Sequence, residues 1–200
     1  MSLVGALAPL GKVAGSKKKW LAEVVAYTLA GSVTSAFVGA LLGVLGKQLL
    51  IMRFGKQAIL VALAIGLIAI ARELGWLTFP LPQLRRQTKD VWGKLLPGMM
   101  AAVLWGLDLG LIFTTRLTFS GIWLLAVVAI LVGEPTYGAM LFILYWLGRA
   151  LSVWIVPFLM PNANATPWVL DGIYVHYRLF QRIHVLGLIW SVFVLIVWLI

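Results

Sequence analysis

Cysteine is absent from this chain of 200 residues. Without a thiol the chain forms no disulfide, holds no metal through thiolate ligands and carries no thiol redox chemistry of its own. Acidic residues are also scarce, with six Asp and Glu against 16 Lys and Arg, and charged residues of both signs make up only 11% of the chain. So few charges exclude an ordinary soluble domain.

Apolar residues take the place of the missing charges. Hydrophobic side chains account for 62% of the chain, and the mean hydropathy is +1.04. This composition predicts an all-α, polytopic membrane helix bundle: a basic cytoplasmic segment over 1–19 and a single integral membrane domain over 20–200. The net charge is +10. The basic residues that produce it lie between apolar runs, where they set topology and contact anionic lipid. We therefore expect the lipid bilayer, and no nucleic acid, as a partner.

Four apolar runs are each long enough for one membrane crossing, which takes about 20 residues. They cover about 20–46, 57–74, 138–156 and 184–200. Pro157 is expected to end the third of them, because proline cannot continue a helix's hydrogen bonds.

A fifth apolar run, from Pro97 to Gly133, is interrupted near its middle by the sequence TTRLT at 114–118. A continuous helix of this length would measure about 55 Å, against a hydrocarbon core of about 30 Å. The run must therefore break inside the bilayer or turn back. Irregular backbone at membrane depth is tolerated only where protein or a water-filled cavity satisfies it.

The interrupted run crosses the membrane either once or twice, which gives five or six spans. With one broken crossing and a cytoplasmic N-terminus, Arg178 and Arg182 join the other basic residues inside; with two crossings they lie outside. Because basic residues concentrate on the cytoplasmic side, the count favours one broken crossing, with two short spans as the alternative. No cleavable signal is evident, and we expect a multi-pass protein of the bacterial inner membrane.

The residues around this break form a candidate polar site inside the membrane: Asp108, Thr114, Thr115, Arg116 and Arg149. An acid at membrane depth is costly and marks a functional-site hypothesis, with an arginine as its expected partner. Threonine hydroxyls could satisfy backbone groups freed by the break, which would form a pocket suited to an anion or a proton relay. The alternative is a structural ion pair with Arg116 reaching an interface.

No catalytic residue, metal site or cofactor is predicted. Arg72 and Glu73 are interpreted as an interfacial ion pair at the end of the second span. His176 and His184 are too few for a metal site and instead indicate an interfacial amphipathic helix.

Two pairs of glycines are spaced for close helix packing. Gly39 and Gly43 lie in the first span, and Gly106 and Gly110 lie in the first half of the interrupted run. Small residues four apart let two helix backbones approach closely. We expect these glycines to support packing within the chain.

The order of features from Ala26 to about Val156 resembles the transmembrane part of the CcdA/DsbD family. The matching elements are AYTLAG at 26–31, GALLGVLG at 39–46, a basic loop at 85–86, GLDLGL at 106–111, and Gly138 with YWLG at 145–148. That family passes reducing equivalents across bacterial membranes and supports cytochrome c biogenesis. The resemblance implies its helical scaffold and a break in the interrupted run.

This chain departs from the family at both redox positions. Where the family has a Pro-Cys element at the break, this chain has Thr115-Arg116, and the span that carries the family's other cysteine is expected to be missing before Lys17. The leading prediction is therefore a non-enzymatic membrane protein, a component or assembly factor of a complex with a membrane-protein partner. One alternative is a small carrier or channel that transports a solute through the polar break. Another is an accessory protein of cytochrome c biogenesis or thiol relay that relies on partner thiols.

Overall fold

The computed structural model describes residues 17–49, 55–79, 92–113, 119–159 and 177–199. Over these residues the chain is helical and contains no strand. The helices are α1 (Lys17–Gln48), α2 (Gly55–Glu73), the four-residue α3 (Trp92–Leu95), α4 (Gly98–Gly110), α5 (Gly121–Val132), α6 (Pro135–Leu159) and α7 (Tyr177–Leu199). The predicted all-α membrane bundle is confirmed.

Four of these helices, α1, α2, α6 and α7, are long and apolar enough to cross a membrane. They coincide with the four uninterrupted apolar runs. α6 continues through Pro157 and ends at Leu159, two residues later than predicted. α7 begins at Tyr177 rather than at His184, because hydropathy marks where a helix becomes apolar and not where its backbone hydrogen bonds begin.

The interrupted run is broken into α4 and α5, as predicted. With 13 and 12 residues, each is about 18–20 Å long and too short to cross a hydrocarbon core of about 30 Å. Ile112, directly after α4, adopts a left-handed conformation with φ of 59°, which β-branched residues rarely do. α5 ends at Gly133, whose φ of 65° suits a residue without a Cβ at a helix C-terminus.

Most of α4 and all of α5 are at least partly buried. From Ala101 onward α4 has no exposed residue, and neither does α5. α1, by contrast, exposes an apolar side chain about every fourth residue: Leu21, Val25, Leu29, Val33, Phe37, Leu41 and Leu45. α1 thus offers one continuous face to lipid, whereas α4 from Ala101 onward and α5 offer none.

The helices pack as two compact units. Unit 1 contains α1 as far as Ala36, α4, and α6 from Ile143 onward. α4 lies parallel to α1, since Gly106 contacts Tyr27 and Gly110 contacts Gly31. The core of this unit consists of Val24, Tyr27, Ala101, Ala102, Trp105, Leu109, Trp146, Ala150 and Val153.

Unit 2 contains α1 from Phe37 onward, α2, α5, α6 as far as Phe142, and α7. α2 is antiparallel to α7, because Glu73 contacts Gln181 and Gly66 contacts Val192. α2 is also antiparallel to α5, with Glu73 beside Ser120 at the start of α5. Ala69, Leu124 and Leu188 form the buried core where these three helices meet.

Candidate functional site

Two residues of the predicted polar site lie in unit 1. Asp108 is 7% exposed on α4, and Arg149 is half-buried on α6. Arg149 lies within electrostatic range of the hydroxyls of Tyr27 and Tyr145. Thr114, Thr115 and Arg116 fall outside the described residues.

Glu23 is a further buried acid in unit 1, which sequence reasoning missed. It is 1% exposed, and within the described part of the chain neither of its carboxylate oxygens has a hydrogen-bond partner. The Nη1 atom of Arg149 is likewise buried without one among the described residues. The available signal was that Glu23 is the one acidic residue in the apolar run over 20–46.

Two tryptophans hold α6 against α1 in unit 1. The indole N–H of the fully buried Trp146 donates to the Thr28 carbonyl at 2.9 Å, and that of Trp154 donates to the Thr28 hydroxyl at 3.1 Å. Trp146 also covers Gly31 so closely that no Cβ would fit there. These contacts fix the helix that carries Arg149 against the helix that carries Glu23.

The C-terminus of α4 is satisfied by α1. The buried Ser35 hydroxyl donates to the Gly110 carbonyl at 2.9 Å, and this carbonyl is among those that a helix end leaves without an intrahelical donor. Sequence reasoning assigned this kind of role to the threonines of the break. At Gly110 the donor is instead Ser35, a residue that the sequence did not single out.

The predicted glycine pairs lie at close helix contacts. Gly39 and Gly43 face the start of α6, and the backbones of Gly39 and Gly138 approach so closely that neither position has room for a Cβ. Gly106 and Gly110 face α1 in the same way.

Unit 2 contains a buried polar junction around Glu73, which is 5% exposed. Its Oε1 atom accepts hydrogen bonds from the Ser120 N–H at 2.8 Å and the Ser120 hydroxyl at 2.7 Å. It also pairs with Arg72 at 3.0 Å. The interpretation of Arg72 and Glu73 as an ion pair agrees with this geometry, but Glu73 faces the interior. There it lies at the N-terminus of α5, where a negative charge complements the helix dipole.

α7 contributes two side chains to the same junction. The amide of Gln181 donates to the Glu73 carbonyl. The Nε2 atom of His184 accepts from the Gly121 N–H at 3.3 Å, and its ring stacks on Phe119 with centroids 4.7 Å apart. His184 therefore satisfies a free donor of the α5 N-terminus. No group of three metal-ligating residues occurs over the described ranges, and His176 lies outside them.

A cavity of about 460 Å³ opens beside this junction, between the end of α2 and the start of α7. It is lined by Glu73, Leu74, Arg178, Gln181, Arg182, Val185 and Leu186. The two arginines are exposed and lie one helical turn apart, whereas Leu74, Val185 and Leu186 are apolar. The cavity therefore combines a basic rim with an apolar wall.

Taken together, the helices and their buried polar contacts define a polytopic helical membrane protein. No protein-family model matches the chain, and no solved structure matches it. The chain is similar to the methylamine utilization protein MauF of Paracoccus denitrificans, with 26% identity over 168 residues, which is 84% of this chain and 61% of that protein. It is also 31% identical over 153 residues to MauF of Paracoccus versutus, which is 76% of this chain and 56% of that protein. The chain thus spans somewhat more than half the length of these curated relatives.

Proposed function

We propose that this chain is a non-enzymatic membrane accessory protein that works within a multi-protein system for methylamine utilization. The observation that carries the proposal is the similarity to MauF, which extends over 84% of the chain for one relative and 76% for the other. Both relatives are named for methylamine utilization. The Glu73 junction supports a structural role for these buried polar residues, because they bind one another and connect three helices.

The proposed location is the bacterial inner membrane, with the N-terminus in the cytoplasm and five crossings. α1 and α2 are consecutive spans and so cross in opposite directions. α4 is parallel to α1 within unit 1, and α5 is antiparallel to α2 within unit 2. Two consecutive helices that are each too short to cross alone support a single broken crossing. Cysteine-scanning with a membrane-impermeant thiol reagent would test this topology in the naturally cysteine-free chain.

The scaffold is proposed to be of the CcdA/DsbD type, without the redox centre. The break after Gly110 and the close glycine contacts of α1 support this proposal. In such a scaffold the thiols of any relay would belong to a partner chain, which keeps an accessory role in cytochrome c biogenesis as an alternative. An experimental structure that superposes on that family over Ala26 to Val156 would support the scaffold.

Complementation tests the leading proposal. The chain would be expressed in a Paracoccus denitrificans strain that lacks MauF, and growth on methylamine as sole carbon source would be measured. Restored growth is the expected result, together with stoichiometric membrane partners after mild-detergent purification at native expression level. Absence of growth together with a partner-free, monodisperse monomer would contradict the proposal.

A small carrier or channel is the second candidate, favoured by one observation in unit 1. Glu23 and the Nη1 atom of Arg149 are buried without a hydrogen-bond partner within the described residues. Asp108 is also buried in this unit. Buried ionisable groups inside a membrane commonly mark substrate or proton pathways. Flux in proteoliposomes would be compared for E23Q and D108N, with the exposed acid variant E134Q as control; equal flux in all of them would remove this candidate.

A further inference from the structure

The cavity at the start of α7 lies where two membrane-spanning helices meet at their ends. The apolar span of α2 ends at Glu73, and that of α7 begins at Arg178. The Gln181 amide, which donates to the Glu73 carbonyl, joins these two ends. The cavity therefore lies at the shared end of these two apolar spans.

The charge of this cavity is positive. Glu73 contributes a carboxylate, but Arg72 and both donors of Ser120 already bind its Oε1 atom. Arg178 and Arg182 add two cations at the rim, and both side chains are exposed. Two guanidinium groups one turn apart match the geometry of a phosphate, which accepts paired N–H donors.

The wall below this rim is apolar and continues onto the outer face of α7. Leu74 and Leu186 line the cavity and are themselves strongly exposed. Below them, Ile189, Trp190 and Phe193 extend the exposed apolar surface along the same helix. A ligand held at the arginines thus has hydrocarbon-like surface directly beneath it.

We propose that this cavity binds the phosphate headgroup of an anionic phospholipid, with Arg178 and Arg182 as the phosphate ligands and an acyl chain along Leu186. This site goes beyond the proposed accessory function and does not depend on it. The two arginines by themselves would also bind a soluble phosphate anion. The lipid is the occupant because the apolar wall continues from the rim onto the lipid-facing side of α7, and basic residues between membrane helices favour anionic headgroups.

The test is thermal unfolding of the delipidated full chain in mild detergent, titrated with phosphatidylglycerol, phosphatidylcholine or inorganic phosphate. Phosphatidylglycerol should raise the unfolding temperature of the wild type at concentrations where the other two do not. In R178Q/R182Q the concentration for half-maximal shift should rise by about tenfold or more, as expected when charge-assisted hydrogen bonds are lost.

A matched control removes two exposed basic residues elsewhere in unit 2. K47Q/K56Q loses the same charge from the end of α1 and the start of α2 and should keep the wild-type response. R178K/R182K keeps the charge and should retain part of the response to phosphatidylglycerol. Size-exclusion profiles should show that each variant is folded. Equal loss in K47Q/K56Q, an equal shift with inorganic phosphate, or no shift with any ligand would each overturn the proposal.

Discussion

Ser120 donates both its backbone N–H and its hydroxyl to one carboxylate oxygen of Glu73, at 2.8 and 2.7 Å, across 47 residues of sequence. Ser120 directly precedes α5, and Glu73 is the last residue of α2. The contact therefore ties the end of one membrane-spanning helix to the start of the second half of the broken run. It also supplies an acceptor for one of the backbone donors that every helix N-terminus leaves free.

Glu73→Ala should destabilise the protein by about 1–3 kcal/mol, because the Ser120 N–H would lose its acceptor in a buried site and the Ser120 hydroxyl would keep only the longer hydrogen bond to the Ala69 carbonyl. The free energy of unfolding would be measured by denaturant titration in mixed micelles. Glu134→Ala serves as the control, since Glu134 is exposed and should change stability by no more than about 0.5 kcal/mol. Equal effects of the two substitutions would show that the Ser120 contact contributes nothing.

Gly138→Ala should destabilise the protein by more than about 2 kcal/mol, because its new Cβ would meet the Gly39 backbone and force the two helices apart. Gly148→Ala in the same helix, α6, is the control. A Cβ at Gly148 meets no atom within 4 Å, so this substitution should be neutral or slightly stabilising. The two unfolding midpoints would be compared in one detergent, and equal midpoints would contradict the close contact.

Trp146→Phe should cost about 1–3 kcal/mol, since it removes the hydrogen bond to Thr28 and leaves a void in a fully buried position. Trp198→Phe, at a strongly exposed position on α7, should have little effect. Thermal unfolding followed by intrinsic tryptophan fluorescence measures both variants. A larger loss for Trp198→Phe than for Trp146→Phe would be inconsistent with the described packing.

Glu23→Gln should increase the free energy of unfolding by about 1 kcal/mol or more, because a buried carboxylate without a hydrogen-bond partner costs stability. The gain would be measured by the same denaturant titration. If Glu23 also serves transport, the stabilised variant should lose flux, as expected where activity requires a destabilised site. A loss of stability would instead indicate that the carboxylate has a stabilising partner.

Hydropathy was sufficient to predict the four long helices and the break, because each depends on local composition and on helix length. The contacts between Glu73 and Ser120, and between Ser35 and Gly110, could not be predicted this way. They depend on which helix faces meet, and a single sequence does not specify that. Glu23 was overlooked for a related reason: near the basic start of α1 an acid resembles an interfacial residue, and only the packing of unit 1 buries it.

The position of α7 in the chain has a consequence for biogenesis. α7 supplies the acceptor for the Gly121 N–H and the donor for the Glu73 carbonyl, yet it is synthesised after every other helix described. Until residues 177–199 leave the ribosome, the N-terminus of α5 lacks the His184 acceptor inside a largely apolar setting. Unit 2 therefore closes late, and a nascent chain stalled before Tyr177 would expose a polar helix end that quality-control proteases or chaperones can recognise.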